Sequence, residues 1–186
     1  MRIISGSLKG RQLQLPKGSA ARPTSDRARE ALFNILQPSL VGSRVLDLFA
    51  GSGALGVEAL SRGAACCVFV ELDRANARAL QESLARFAVP QQRGMVVNGD
   101  FRHAAPQLAR EGKQFDLIFL DPPYEAGYYG EALELSRRLL APQGCIVAEH
   151  ERGHALPEPP AGLEVTDVRQ YGKNTISFYR SRGDAL

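Results

Sequence analysis

The 186-residue sequence predicts an α/β fold: a mostly parallel seven-stranded sheet with helices on both faces, a closing antiparallel strand, and a small N-terminal β-hairpin and helix extension. Three observations predict it. From Arg44 onward, short apolar runs alternate with segments whose apolar residues recur at helical spacing, the pattern of successive βαβ units. The apolar runs are nearly continuous, as strands buried on both faces are. The last two runs instead alternate apolar with polar residues and meet at Gly172 and Lys173, which is how an antiparallel hairpin reads.

Taken in order, "RIIS" and "GRQLQLP" alternate on either side of Gly10, so a hairpin is expected at the N-terminus. In "RPTSDRAREALFNIL", Thr24 or Ser25 can cap a helix with Asp26 in its first turn. Ala28, Ala31, Leu32, Ile35 and Leu36 fall on one face of it, and Pro38 is expected to end it. Strand "RVLDLF", a glycine-rich turn and a helix to Arg62 follow, with Gly63 as the stop. Strand "CCVFVEL" and helix "RANARALQESLARFA" come next, then strand "GMVVN" and a short helix from about Phe101. Strand "FDLIFL" precedes a helix through "GEALELSRRLL" and strand "CIVAEH". The Pro-rich "ERGHALPEPPAG" is a loop before "LEVTDVRQYG" and "NTISFYRS". No repeat or low-complexity linker interrupts the chain; residues 1–40 are taken as the extension and 41–186 as the main domain.

Charge is distributed unevenly. Residues 1–44 hold eight Lys/Arg against Asp26 and Glu30, a balance of +6, whereas the whole chain carries +3. A basic lobe on a mildly acidic body suits a polyanion held at one end; the alternative is a solvated basic face. No run approaches the ~18 to 20 apolar residues of a membrane span, and "MRIISGSLKG" lacks the apolar core of a secretory signal, so a cytoplasmic protein is expected. Cys66, Cys67 and Cys145 have no metal-ligand spacing and read as buried hydrophobes in a reducing compartment. His103, His150 and His154 read as solvated or structural, and no metal is expected.

The first strand ends in "VLDLFAGSGALGVEAL". Gly51-Ser52-Gly53-Ala54-Leu55-Gly56 fits G-x-G-x-x-G between a strand and a helix, and Glu71, at the end of the next strand, can take ribose hydroxyls. This much equally suits a nicotinamide dinucleotide. Asp47 tips the balance, because a pyrophosphate turn would not want a negative charge four residues before Gly51, whereas a cationic cofactor would. Asp100 can accept from an adenine amine with Phe101 beside the ring. Such an anion-rich rim fits S-adenosylmethionine (SAM). Asp47 and Asp100 have an alternative role as helix-start carboxylates, and Asp73 is read as the cap of the second main-domain helix.

These motifs, with "DPPY" at Asp121-Pro122-Pro123-Tyr124, resemble the Rossmann-like class I SAM-dependent methyltransferases that act on amines. More narrowly, "RIISGSLKGRQL", "RPTSDRAREALFNIL" and "YGKNTISFYR" resemble the RsmD family, bacterial methyltransferases of guanine N2 in small-subunit (16S) ribosomal RNA. The resemblance spans nearly the whole chain, the Pro-rich stretch excepted. It implies SAM as cofactor and a partly assembled small ribosomal subunit as substrate; a monomer is expected. It places Phe49, Ala50, Leu72 and Thr24 in the cofactor crevice beside Asp47, Gly51, Gly53, Glu71, Asp100 and Phe101. Arg22, Arg27 and Glu30 match the N-terminal signature, with an Arg27–Glu30 helical pair as the alternative. Arg2, Lys9, Arg11, Arg22, Arg27 and Lys173 are the expected RNA contacts.

The chemistry of DPPY follows from the base. An exocyclic amine is a weak nucleophile because its lone pair is delocalised into the ring. Asp121 can accept one N–H and the Pro122 carbonyl the other, freeing the pair, while Pro122 and Pro123 fix the acceptors beforehand. Tyr124 can stack on a base turned outward. A DNA adenine or cytosine amino-methyltransferase would also carry DPPY, although no gap here could house a target-recognition domain. A non-catalytic RNA-binding assembly factor that retains SAM is the reading from another class.

Overall fold

The computed structural model describes residues 1–14, 16, 26–123 and 127–183. Helix α1 (Asp26–Leu40) precedes the alternation β1 (Arg44–Asp47), α2 (Ala54–Ser61), β2 (Cys66–Glu71), α3 (Arg74–Arg86), β3 (Gly94–Asn98), α4 (Phe101–Arg110), β4 (Phe115–Leu120), α5 (Tyr129–Arg137) and β5 (Leu140–Glu151). The hairpin β6 (Leu163–Tyr171) and β7 (Asn174–Ser181) completes the chain. One seven-stranded sheet results, in the order β3-β2-β1-β4-β5-β7-β6. β1 to β5 pair in parallel, and β7 inserts antiparallel to both β5 and β6. Strand order reverses at β1, so a crevice opens beyond the C-terminal ends of β1 and β4, the place where open α/β sheets bind ligands.

Two apolar clusters cover the faces. One joins Phe33, Leu36, Val57, Leu60, Phe69 and Phe119 and the other joins Leu46, Phe101, Ile118, Leu133 and Ile146, so successive residues of β1 and β4 bury on opposite sides. Gly56 is needed where α2 meets the sheet, since a Cβ there would lie 2.3 Å from Phe69 Cε1 and 2.6 Å from Cys67 Sγ. Asp73 caps α3 as expected, accepting from Asn76 N at 2.8 Å. Cys67 and Cys145 are buried and Cys66 is half-buried. Among the described residues no helix is long and apolar enough to cross a membrane.

The N-terminal segment forms the expected hairpin in a short form: Ile3 N donates to Arg11 O at 2.9 Å, Gly10 N to Ile3 O at 2.9 Å and Leu13 N to Met1 O at 2.8 Å, around the antiparallel bridge of Arg2 and Gln12. The residues between the arms are held by α2. The buried Glu58 carboxylate accepts Ile4 N at 2.8 Å and Ser5 N at 3.0 Å while pairing with Arg62 Nε at 2.7 Å. Ser61 Oγ donates to Ser5 O and accepts from Leu8 N. Gly6 closes this approach, since a Cβ would sit 1.9 Å from Ser61 O. Ile3 and Leu13 then bury in the cluster that holds Leu32 and Phe33.

Helix α1 differs from expectation. It continues past Pro38 to Leu40, and the chain turns at Gly42, whose φ of 78° suits glycine. Pro38 has no N–H to give the Asn34 carbonyl, so the last turn forms at the cost of that one hydrogen bond. The buried face is Ala28, Arg29, Leu32, Phe33, Leu36 and Leu40, and Ile35 is exposed. An arginine on the apolar stripe rotates the face away from the one that hydrophobicity alone picks out. The helix start expected at Thr24 or Ser25 lies outside the described residues.

Candidate active site

Four strands of the parallel sheet end in a carboxylate. β1 ends at Asp47, β2 at Glu71, β4 is followed at once by Asp121, and Glu149 lies near the end of β5. Asp47 is level with Phe69 of β2 and Phe119 of β4, and Leu120 is level with Ala148, so the four acids share the edge where the crevice opens. Acids gather here because the apolar strand interiors stop at this edge and the loops beyond it carry polar contacts.

Asp47 is 2% exposed, and its Oδ2 accepts Gly56 N at 3.0 Å. Burial pushes its carboxyl up to about 7, against the opposing pull of the Gly56 N–H, with Glu71 adding to the rise. Glu71 Oε2 accepts Gly51 N at 2.6 Å and Oε1 accepts Asp73 N at 2.7 Å, which ties the glycine turn to the loop after β2. Gly51 and Gly53 have φ of 52° and 77°, conformations that only glycine adopts cheaply. The turn is closed by Gly53 N to Ala50 O at 2.6 Å and is joined to β2 by Ala50 N to Val70 O. The Gly56 amide, one of the donors with which a helix start would hold a phosphate, is thus already filled by Asp47.

An aromatic wall flanks this turn. Phe49 lies 4.8 Å from Phe101 and 6.5 Å from Tyr128 between ring centroids, and the Phe49 and Tyr128 planes differ by 7°. The Arg102 guanidinium sits over both Phe101 and Tyr128. Asp100 caps α4 through Arg102 N at 2.8 Å and pairs with the Arg102 side chain, which holds its carboxyl down at about 2. Asp100 therefore fills the cap role read for it, with its carboxylate ionised and paired to Arg102 beside Phe101. Phe101 and Ala50 are buried, and Leu72 is 68% exposed at the mouth. Thr24 lies outside the described residues.

Asp121 is half-buried, Pro122 is buried and Pro123 is exposed, while Tyr124 lies outside the described residues. Burial raises the Asp121 carboxyl well above the usual carboxylate range, and the Glu149 and Asp47 charges add to the effect. Among the described residues none donates to the Asp121 side chain, so its oxygens remain available as acceptors.

The basic residues divide. Arg2, Lys9 and Arg27 line one cleft of about 270 Å³ together with Asp26 and Glu30. Arg2 also reaches Asp26 at 3.2 Å. Arg11 turns away, over the Phe87 ring with Nη1 at 3.4 Å from Arg86 O, on the C-terminal end of α3. Lys173 is exposed in the β6–β7 turn, whose neighbour Asn174 reaches the site edge. The ion pair seen on α1 joins Asp26 to Arg29 at 3.0 Å. Arg22 lies outside the described residues.

Sequence reasoning missed Glu149, Asn174, Arg29, Arg102 and Tyr128. The signal for Glu149 was present: "CIVAEH" carries an acid directly after its apolar run, as the strands that deliver Asp47 and Glu71 do. Arg29 carries no local signal, because only packing distinguishes it from a solvated helix arginine.

The Asp47 environment has a measurable effect. A folded-state carboxyl at about 7 against an unfolded value near ~3.9 gives stability that is complete below pH ~4 and is lost as pH rises through 7. The ligand-free protein should melt lower at pH 8 than at pH 5, and Asp47→Asn should flatten that dependence. An unchanged pH profile in the variant would show that Asp47 titrates normally.

The sequence profile described as Conserved hypothetical protein 95 matches residues 1–180. The Bacillus subtilis protein YlbH is 40% identical over 185 residues, covering 98% of this chain and 100% of its own. The Escherichia coli ribosomal RNA small subunit methyltransferase D is 39% identical over 182 residues, covering 97% of this chain and 89% of its own. The solved structure of the Escherichia coli protein yhhF superimposes with a TM-score of 0.84 at 39% identity, covering 97% of each chain. With glycine turn, strand-end acids and both flanking signatures in one continuous match, the chain belongs to this family, the RsmD family of ribosomal RNA methyltransferases.

Proposed function

We propose that the protein transfers a methyl group from SAM to the exocyclic N2 amine of one guanine in 16S ribosomal RNA, acting as a monomer on a partly assembled small subunit. The observation that carries this reading is the charge of the crevice. Asp47, Glu71 and Asp121 surround a glycine turn whose Gly56 amide already holds Asp47, an arrangement that repels a pyrophosphate and suits a cofactor bearing a sulfonium and an ammonium.

The residues fit SAM. Glu71, fixed by two backbone amides, keeps lone pairs for ribose hydroxyls, and Asp47 offers a carboxylate to the cationic end. Asp100 and Phe101 would edge the adenine, with Leu72 at the mouth. When bound, SAM supplies an electrophilic methyl group and leaves as a neutral thioether.

Asp121 accepts one N–H of the guanine amine and the Pro122 carbonyl the other, which aims the nitrogen lone pair at the methyl. With SAM bound, its methyl group would pass to that nitrogen, and the Asp121 carboxylate would take the surplus proton. Tyr124 provides the stacking face for a base in a loop, where little pairing energy opposes turning it outward. Lys9 and Arg27 hold phosphates in the cleft they share with Arg2, and Lys173 holds one near the site edge.

Purified protein, labelled SAM and small subunits from a strain lacking the enzyme should yield N2-methylguanosine, and subunits from the parent strain should take almost no label. N6-methyladenosine, or label confined to DNA, would overturn the substrate assignment. The cleft is tested separately. Lys9→Ala together with Arg27→Ala should reduce the slope of log affinity against log salt by roughly 0.7 to 0.9 per lost contact. A slope that falls with Arg11→Ala instead would move the RNA path to the α3 side.

A further inference from the structure

We propose that Glu149, clamped by Asn174, is a positioning residue that makes Asp121 a competent acceptor for the proton released when the amine is methylated. The inference rests on the proposed amine chemistry and concerns residues to which that reading gives no role. The β4–β5 register runs through Leu120 and Ala148, so Asp121 and Glu149 are the next residues along adjacent parallel strands. Glu149 is 3% exposed, a place where a carboxylate persists only if held. Asn174 Nδ2 donates to its Oε1 at 2.5 Å, and the Tyr129 hydroxyl donates to its backbone carbonyl at 2.6 Å. Asn174 pairs with Glu151 across the β5–β7 ladder, which places its side chain on the Glu149 face, diagonally next to it.

Among the described residues, the groups facing this pair come from several neighbouring elements. β1 brings Asp47, whose charge reaches Asp121. From α1 comes Arg29, fully buried, whose cationic guanidinium feels the Glu149 charge and whose Nε and Nη1 have no hydrogen-bond partner among the described residues. α5 brings Tyr129 and β7 brings Asn174. On β5 itself, His150 is engaged with Ser177 Oγ at 3.0 Å. The "RPTSDRAREALFNIL" and "YGKNTISFYR" segments thus deliver Arg29 and Asn174 to the surroundings of one acid.

The chemistry explains why a second acid is useful there. Methyl transfer leaves a cationic nitrogen, and completion breaks an N–H bond, leaves its electron pair on nitrogen and puts the proton on an Asp121 oxygen. An isolated surface aspartate is a weak base for that step. Beside a fixed anion the same carboxylate binds a proton more tightly, because two adjacent carboxylates resist ionising together. Afterwards the proton leaves through the exposed part of Asp121.

Carbon-13 carboxyl NMR of the SAM-free protein reads the effect without any RNA. In Glu149→Gln the Asp121 titration midpoint should fall by about one pH unit or more, since the neighbouring charge is gone. Asn174→Ala retains the acid but removes one donor to it; Glu149 then takes the shared proton more readily, and the Asp121 midpoint again moves to lower pH. Turnover in both variants should drop about tenfold, with KM for SAM unchanged and the acid limb of the pH–rate profile displaced the same way. A midpoint that stays in place or rises overturns the proposal, as does a loss of turnover with no displacement of the acid limb. A displaced midpoint in a protein whose labelled product is another nucleoside leaves the Glu149 coupling standing and defeats only the guanine assignment.

Discussion

Asp121→Ala should lower turnover on small ribosomal subunits by at least ~10²-fold while leaving SAM affinity unchanged. The effect is large because Asp121 is the proposed acceptor of the amine, and its oxygens have no donor among the described residues. It is confined to turnover because the contacts assigned to the cofactor belong to Asp47, Glu71 and the Gly51–Gly53 turn. Single-turnover rates and calorimetry on the same preparation separate the two quantities. Near-normal turnover in the variant would refute the amine mechanism, and weakened SAM binding would place Asp121 in the cofactor pocket instead.

The second large effect is structural. Glu58→Ala should cost about 3 to 5 kcal/mol, the penalty for breaking a buried ion pair and stranding its cation. Arg62 loses its 2.7 Å partner, Arg29 loses the anion that acts on it most strongly, and two backbone amides, Ile4 N and Ser5 N, lose their acceptor. For a chain of this size the melting temperature should fall by roughly 6 to 20 °C. The Ile4 and Ser5 amides should become the first to exchange with deuterium, because Glu58 is what pins them to α2. Unchanged melting and protected amides would mean that Ile3 and Leu13 anchor the segment unaided.

Legibility followed the range of the interactions. The βαβ alternation of a mostly parallel sheet, the hairpin at the end and the Asp47, Glu71 and Asp121 edge were readable because each depends on a local pattern: apolar period, glycine spacing, an acid at a strand end. The Asp73 cap was read for the same reason. What escaped depends on contacts between distant residues. Arg29 looks like a solvated helix residue until the Glu58 and Asp26 charges converge on it. Alternation in "RIIS" and "GRQLQLP" reveals the N-terminal hairpin but not its anchorage, in which Glu58 and Ser61 hold the Ile4, Ser5 and Leu8 amides. Asn174 sits inside a recognised signature, yet its partner Glu149 lies 25 residues away in sequence and becomes visible only when β5 and β7 pair. The basic lobe shows the same limit: net charge located it, while the separation of Arg11 from Lys9 and Arg27 came from packing on Phe87.

The central claim, amine methylation of one guanine in small-subunit RNA, is tested most directly by nucleoside mass spectrometry and primer extension on 16S ribosomal RNA from cells lacking the protein. The account predicts that one N2-methylguanosine disappears, returns with the wild-type gene and does not return with Asp121→Ala. An unchanged set of N2-methylguanosines, or loss of a methylated adenosine or cytidine in its place, would contradict it.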